Sequence, residues 1–264
     1  MKKQNAVLVT GAGGFLGSHL VEKFLARDYF VIGVDNFSTG FRNNLTELMN
    51  LKNASTHFQF FEADVIQDWS SWLKEELFLN YKFEKIFHFA SPASPPLYQK
   101  IPLETMWVNS VGLRNALQFA DKVGARVLFA STSEVYGDPS VHPQPEEYWG
   151  NVNSVGPRAC YDEAKRFGEA LIVSWNQQNH TQHQIVRIFN TYGPRMNPKD
   201  GRVIINLLTQ ALKGEDMTIY GDGQQTRSFF FFFDLIEGIA RFSEIEFLEP
   251  LNVGNPTEFS ILQL

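Results

Sequence analysis

The sequence predicts an α/β fold, a doubly wound parallel sheet with a small lobe over its strand ends, on three observations. Short apolar runs alternate with longer stretches of helical period, which is the rhythm of βαβ units. A glycine-rich turn joins the first apolar run to the first helical stretch, and an aspartate closes the second run. With 264 residues, 44% of them hydrophobic and 20% charged, the chain is long enough to bury a full core.

In chain order, the first strand is expected at 6–10, where Ala6-Val7-Leu8-Val9-Thr10 offers apolar side chains to both faces of a sheet. Further buried strands are expected at 30–35, 58–62, 85–90, 126–131 and 184–188. Helices fall between them, at 14–27, 103–122 and 161–178. From Phe189 the pattern loosens: the turns Tyr192-Gly193-Pro194 and Gly221-Asp222-Gly223 surround an expected helix at 202–213 and a short strand at 217–220. Five consecutive phenylalanines, Phe229 to Phe233, are expected to form a strand buried on both faces.

The bulk chemistry narrows the function. A net charge of -6 gives no overall field for nucleic acid or anionic lipid. Cys160 is the single cysteine, which excludes an internal disulfide and a thiolate metal cluster and suits a reducing compartment, so a cytoplasmic location is expected. His19, His57, His88, His142, His180 and His183 show no ligand spacing, and no metal is expected.

Gly11-Ala12-Gly13-Gly14-Phe15-Leu16-Gly17 places glycines at 11, 14 and 17 between the first strand and the first helix. Missing side chains there let a pyrophosphate approach backbone N–H groups and the positive end of the helix dipole. Asp35 lies 18 residues past Gly17, at the end of the second strand, where its carboxylate accepts hydrogen bonds from ribose hydroxyls and repels an added phosphate. The expected cofactor is therefore NAD rather than NADP. Asp64-Val65, after the third strand, is the expected place for adenine contacts.

Tyr161 and Lys165 stand four residues apart, on one face of the helix expected at 161–178. A phenol that accepts a hydroxyl proton near neutrality needs its pKa lowered from about 10 to about 7, about 4 kcal/mol of differential stabilisation. A neighbouring ammonium and a positive nicotinamide supply charge of the right sign. Ser131-Thr132-Ser133-Glu134-Val135-Tyr136-Gly137 follows a strand, which points hydroxyls and a carboxylate at the same place.

Longer strings carry a family likeness. Ala90-Ser91-Pro92-Ala93-Ser94-Pro95-Pro96, Cys160-Tyr161-Asp162-Glu163, Arg187 through Met196, Asp200-Gly201-Arg202-Val203, Tyr220-Gly221-Asp222-Gly223, Gln225 through Phe229 and Asn252-Val253-Gly254-Asn255-Pro256 are among them. With these the chain resembles the extended short-chain dehydrogenase/reductase family of NAD-dependent epimerases and dehydratases, and within it the UDP-glucuronate decarboxylases. The resemblance implies a Rossmann-type NAD-binding domain at 1–188 and a substrate-binding region at 189–264. It implies that this region is incomplete, since the family continues beyond Leu264 with a further helix and strand.

The resemblance also implies roles. Thr132, Glu134, Tyr161, Lys165 and Arg227 would be catalytic. Gly11, Gly14, Phe15, Leu16, Gly17, Asp35, Asn36, Asp64, Val65, Ala90, Ser91, Tyr161 and Lys165 would bind the cofactor. Pro92, Ser133, Asn190, Arg202, Tyr220 and Arg227 would bind the nucleotide sugar, with guanidinium groups suited to a diphosphate. Asn109 and Arg195 lie in matching strings with roles left open between site and scaffold.

The implied reaction is decarboxylation of UDP-glucuronate to UDP-xylose through a 4-keto sugar, with NAD regenerated, in a homodimer formed through the helices at 103–122 and 161–178. Related dehydratases carry Asp-Glu after the threonine, whereas this chain has Ser133-Glu134. Serine is a poor acid for protonating a leaving hydroxyl, which disfavours dehydration. The alternatives are a truncated NAD-binding protein without turnover, or a related 4,6-dehydratase or 4-epimerase.

Overall fold

The computed structural model describes residues 3–264. Its strands are β1 (Gln4–Thr10), β2 (Phe30–Asp35), β3 (Phe58–Glu62), β4 (Tyr81–His88), β5 (Arg126–Thr132), β6 (Gln184–Ile188), β7 (Thr191–Tyr192), β8 (Thr226–Ser228), β9 (Phe230–Phe231), β10 (Leu251–Val253) and β11 (Glu258–Ser260). Its helices are α1 (Phe15–Leu25), α2 (Arg42–Met49), α3 (Ala54–His57), α4 (Glu76–Asn80), α5 (Pro95–Tyr98), α6 (Pro102–Trp107), α7 (Leu113–Val123), α8 (Ala159–Asn179), α9 (Val203–Lys213) and α10 (Phe232–Phe242).

Seven strands form one parallel sheet in the order β10-β6-β5-β4-β1-β2-β3. The order reverses around β1, which leaves a crevice at the carboxyl ends of β1 and β4. One face of the sheet packs with α7 and α8, burying Leu113, Leu117, Phe119 and Ile172. The other packs with α1 and α10, burying Leu20, Phe24, Leu235 and Ile239. The long α8 lies close on β5 because Gly168 has no side chain: a Cβ there would sit 2.4 Å from Phe129 Cζ. Gly168→Val is expected to lower unfolding stability by about 1–3 kcal/mol through overpacking, read as a fall in thermal midpoint.

α6 and α7 are joined by a π-helical turn, Val108–Gly112. Such a turn leaves backbone groups out of the regular ladder, and the Val108 carbonyl oxygen lies 3.2 Å from His88 Nε2. His88 Nδ1 lies 3.1 Å from Thr10 Oγ1. Burial pulls the His88 imidazole down to about 3, with Lys165 adding in the same direction, so it is neutral at ordinary pH.

Beyond Phe189 the chain departs from two expectations. The five phenylalanines do not make one buried strand: β9 takes Phe230–Phe231 and Phe232 begins α10. Helical spacing of Leu235, Ile236 and Ile239 against the sheet sets that start, and Phe233 is left 62% exposed. The expected strand at 217–220 is irregular. It has no strand beside it, and the Thr218 N–H donates to Gln210 Oε1 instead (3.0 Å). The chain after residue 188 also returns to the main body, since α10 packs on α1 and β10 pairs with β6.

Candidate active site

A cleft of about 880 Å³ runs along the carboxyl edge of the sheet, from the glycine turn past Thr132 and Tyr161 to Arg202 and Arg227. At its first end, Gly11 turns the chain at φ +74°, and a Cβ on it would lie 2.7 Å from the Phe89 carbonyl oxygen. Gly17, one turn into α1, is tighter still: its Cβ would lie 2.0 Å from Gly11 O. No side chain caps the start of α1 at Gly14, so its first N–H groups face the cleft edge ready for an anion.

Asp35 lies beneath this turn rather than on the cleft wall. Its carboxylate accepts from the Gly13 N–H (2.9 Å) and the Phe37 N–H (2.7 Å), fixing the turn. Burial pushes its carboxyl up, and those backbone donors oppose the rise. Asn36 donates from Nδ2 to Asp64 Oδ2 (3.0 Å), joining the ends of β2 and β3 at the place expected for adenine and ribose. Val65 is buried in the core.

The residues present fit NAD. The turn has no Cβ where a diphosphate would lie. Buried Asn109 donates from Nδ2 to the Oγ of Ser91, a cleft residue (2.9 Å), while its Oδ1 has no partner among the described residues. An acceptor is thus left for a ligand's donor. Gly11, Gly14, Phe15, Leu16, Gly17, Ser91, Tyr161 and Lys165 all line the cleft, whereas Asp35, Asn36, Asp64, Val65 and Ala90 lie outside its wall.

At the centre, β5 delivers Thr132 and α8 delivers Tyr161 and Lys165. Burial pushes the Tyr161 phenol above its ordinary value; the Thr132 hydroxyl opposes this and Glu134 adds to it. Burial pulls the Lys165 ammonium down to about 7, and Glu169 opposes the fall. Lys165 Nζ donates to the Ala130 carbonyl (2.6 Å) and lies 5.7 Å from the Tyr161 ring centre. Without a further positive charge the phenol stays protonated, so this arrangement suits proton transfer once a cation joins it.

The remaining expected residues divide. Ser133, Glu134, Asn190, Arg202 and Arg227 line the cleft, with Arg202 held by Asp200 (2.5 Å) and Arg227 exposed, donating to the Thr226 carbonyl (2.7 Å). Tyr220 is 78% exposed and lies off the cleft wall, as does Pro92. Arg195 also lines the cleft, its guanidinium bridging Glu22 and Glu47.

Several neighbours were not singled out from the sequence. The Tyr98 ring stacks on Tyr161 at 4.9 Å and 5°. Arg158 forms an ion pair with Glu134 and donates from Nε to the Tyr98 hydroxyl (3.3 Å). Asp162 is buried, with Oδ1 unpartnered among the described residues; burial and then Glu134 push its carboxyl up to about 7. The one signal for these was adjacency, since Arg158 and Asp162 flank the Cys160-Tyr161 pair in the chain. Asn44 likewise joins the Gly13 and Arg195 carbonyls, at 3.1 Å each.

Known proteins resemble this chain in sequence and in fold. UDP-glucuronic acid decarboxylase 1 of Xenopus tropicalis is 45% identical over 99% of this chain, which spans 59% of that relative. UDP-glucuronic acid decarboxylase 4 of Arabidopsis thaliana is 48% identical over 100% of this chain and 56% of its own length. The chain therefore spans less than two thirds of the length of both. The solved structure of UDP-glucuronic acid 4-epimerase from Bacillus cereus, in complex with UDP-glucuronic acid and NAD, superposes with a TM-score of 0.80. It is 28% identical and covers 98% of this chain and 80% of that one. Residues 7–254 match the family described as NAD dependent epimerase/dehydratase, and the chain belongs to that family.

Proposed function

We propose that this protein decarboxylates UDP-glucuronate to UDP-xylose through a 4-keto sugar, using NAD held over the glycine turn. The observation that carries the reading is the meeting of Thr132, Glu134, Tyr161 and Lys165 in one cleft with that turn. The identity with decarboxylases from two kingdoms supports the choice of reaction.

Tyr161 takes the proton of the sugar 4-hydroxyl, with Thr132 holding the hydroxyl and Lys165 favouring the phenolate. Bound over the glycine turn at Gly11, Gly14 and Gly17, NAD would supply the hydride acceptor for that carbon and the source of the hydride that restores it. A ketone β to the carboxylate accepts the electrons left when carbon dioxide departs, so no separate electron sink is needed. The resulting enolate takes a proton at C5, in place of the lost carboxyl, before C4 is reduced and the C4 oxygen regains its proton from Tyr161. Glu134, oriented by Arg158, faces the sugar, and Arg227 swings from the Thr226 carbonyl to meet the substrate carboxylate. Asn190, Arg202, Tyr220 and Ser133 receive the rest of the nucleotide sugar, Tyr220 only after the loop at 217–224 moves inward. Asp35, Asn36, Asp64 and Val65 frame the adenosine end, with Ala90, Ser91 and Pro92 beside the nicotinamide end.

A homodimer is proposed through α6, α7 and α8, whose apolar side chains Leu103, Trp107 and Phe167 are 60%, 49% and 52% exposed. No helix among the described residues is long and apolar enough to cross a membrane, and a cytoplasmic setting is proposed from the single cysteine.

Incubation with UDP-glucuronate and NAD is expected to release carbon dioxide and form UDP-xylose in equal amounts, followed by gas trapping and nucleotide chromatography. Formation of UDP-galacturonate without carbon dioxide would assign epimerisation instead, and no conversion under any condition would reject the reading.

A further inference from the structure

On α8, Lys165 and Glu169 are separated by four residues, the spacing at which a helix normally pairs an ammonium with a carboxylate. Here they do not pair. Glu169 Oε1 accepts from Arg187 Nε (2.9 Å) and from the Ser131 hydroxyl (2.5 Å), and Oε2 accepts from Arg187 Nη2 (2.7 Å). Lys165 donates to the Ala130 carbonyl instead and lies 4.8 Å from the Phe129 ring centre. The Arg187 and Glu169 side chains are only 10% and 12% exposed.

Arg187 is itself immobilised. Its Nη1 donates to the Tyr136 hydroxyl and to the Glu146 carbonyl, both at 2.8 Å, and that hydroxyl donates on to Asn252 Oδ1 (2.8 Å). β6, the turn after β5, and β10 therefore fix one guanidinium in bidentate geometry against α8.

We propose that Arg187 is a positioning residue for the Tyr161–Lys165 pair, occupying Glu169 so that this carboxylate does not capture the Lys165 ammonium. The inference rests on the reading that Lys165 serves Tyr161. Few other charges face Lys165. Tyr161 and Glu169 share its helix, neutral His88 comes from β4, and β5 contributes the Ala130 carbonyl, the Phe129 ring and the Ser131 hydroxyl. Glu169 is the group that favours the charged lysine, against burial. Released from Arg187, it would pair with the ammonium, neutralise its field at the phenol and draw it off the Ala130 carbonyl.

The test compares Arg187→Met with the double variant Arg187→Met/Glu169→Gln in the full chain. One readout needs neither substrate nor turnover: the pH titration of the Lys165 ¹³Cε resonance, assigned through Lys165→Arg. Arg187→Met is expected to raise that midpoint by about one unit or more, and to lower kcat on UDP-glucuronate by about tenfold or more. The double variant has no carboxylate to capture the lysine, and is expected to bring the midpoint back to or below the wild-type value and to recover most of kcat.

An unchanged midpoint in Arg187→Met overturns the proposal, as does a double variant no more active than Arg187→Met. If Arg187→Met does not fold, Arg187→Lys replaces it: a single ammonium leaves one Glu169 oxygen free, and an unmoved midpoint there is equally decisive. A wild-type chain inert toward UDP-glucuronate would sink the functional reading alone, since the midpoints still judge the positioning role.

Discussion

Tyr161→Phe is expected to lower kcat by about 10²–10⁴-fold while leaving NAD affinity within about twofold of wild type. The size of the effect follows from the site. Thr132 favours the ionised phenol but is no base itself, and the Lys165 ammonium is engaged by the Ala130 carbonyl, so neither replaces the phenol. The specificity follows from packing: phenylalanine keeps the ring that stacks on Tyr98 at 4.9 Å, so the fold and the nucleotide turn are undisturbed. Calorimetric titration with NAD and steady-state carbon dioxide release check the two halves separately. A kcat within tenfold of wild type would show that another group takes the proton.

Gly17→Ala is expected to weaken NAD binding by about 100-fold, with a measurable loss of thermal stability. One methyl group decides this. Its carbon would stand 2.0 Å from Gly11 O and 2.7 Å from Gly11 C, both backbone, so the first turn of α1 must move away from the end of β1. That movement carries the N–H groups of the turn away from a diphosphate. Gly14→Ala serves as the control, because its Cβ meets Gly11 O at 3.1 Å, which a small adjustment relieves; a loss of about tenfold or less is expected. Equal losses in the two variants would mean that the contact with Gly11 is not what sets affinity.

The six strands predicted from apolar runs are all present, because strands buried between helix layers carry their signal within a few residues. β4 starts at Tyr81, ahead of the expected 85, because Tyr81, Lys82 and Glu84 break the apolar run while the strand continues through them. The helix α10 and the strand β10 were missed for a different reason. What holds them is a partner far away in the chain: α1 for one and β6 for the other. Local propensity misled at Phe229 to Phe233, where aromatic β-formers continue into a helix because tertiary packing overrides them.

The site divides along the same line. Gly11, Gly14, Gly17, Thr132, Tyr161 and Lys165 stand in short motifs whose spacing is itself the geometry, and the structure brings them to one cleft. Tyr98 and Arg158 join the site through contacts that no spacing encodes. Tyr98 reaches Arg158 across 60 positions, and the Glu134–Arg158 pair crosses 24. Tyr220 and Pro92, carried over from strings of residues alone, lie off the wall of this cleft.

The place of β10 at the rim of the large sheet has a consequence for how the polypeptide matures. β6 is completed at Ile188, yet the strand that covers its outer side is Leu251–Val253. During synthesis, the nascent chain must therefore present an unpaired, hydrophobic edge until some sixty further residues have been made, a window in which strand addition from another molecule is favoured.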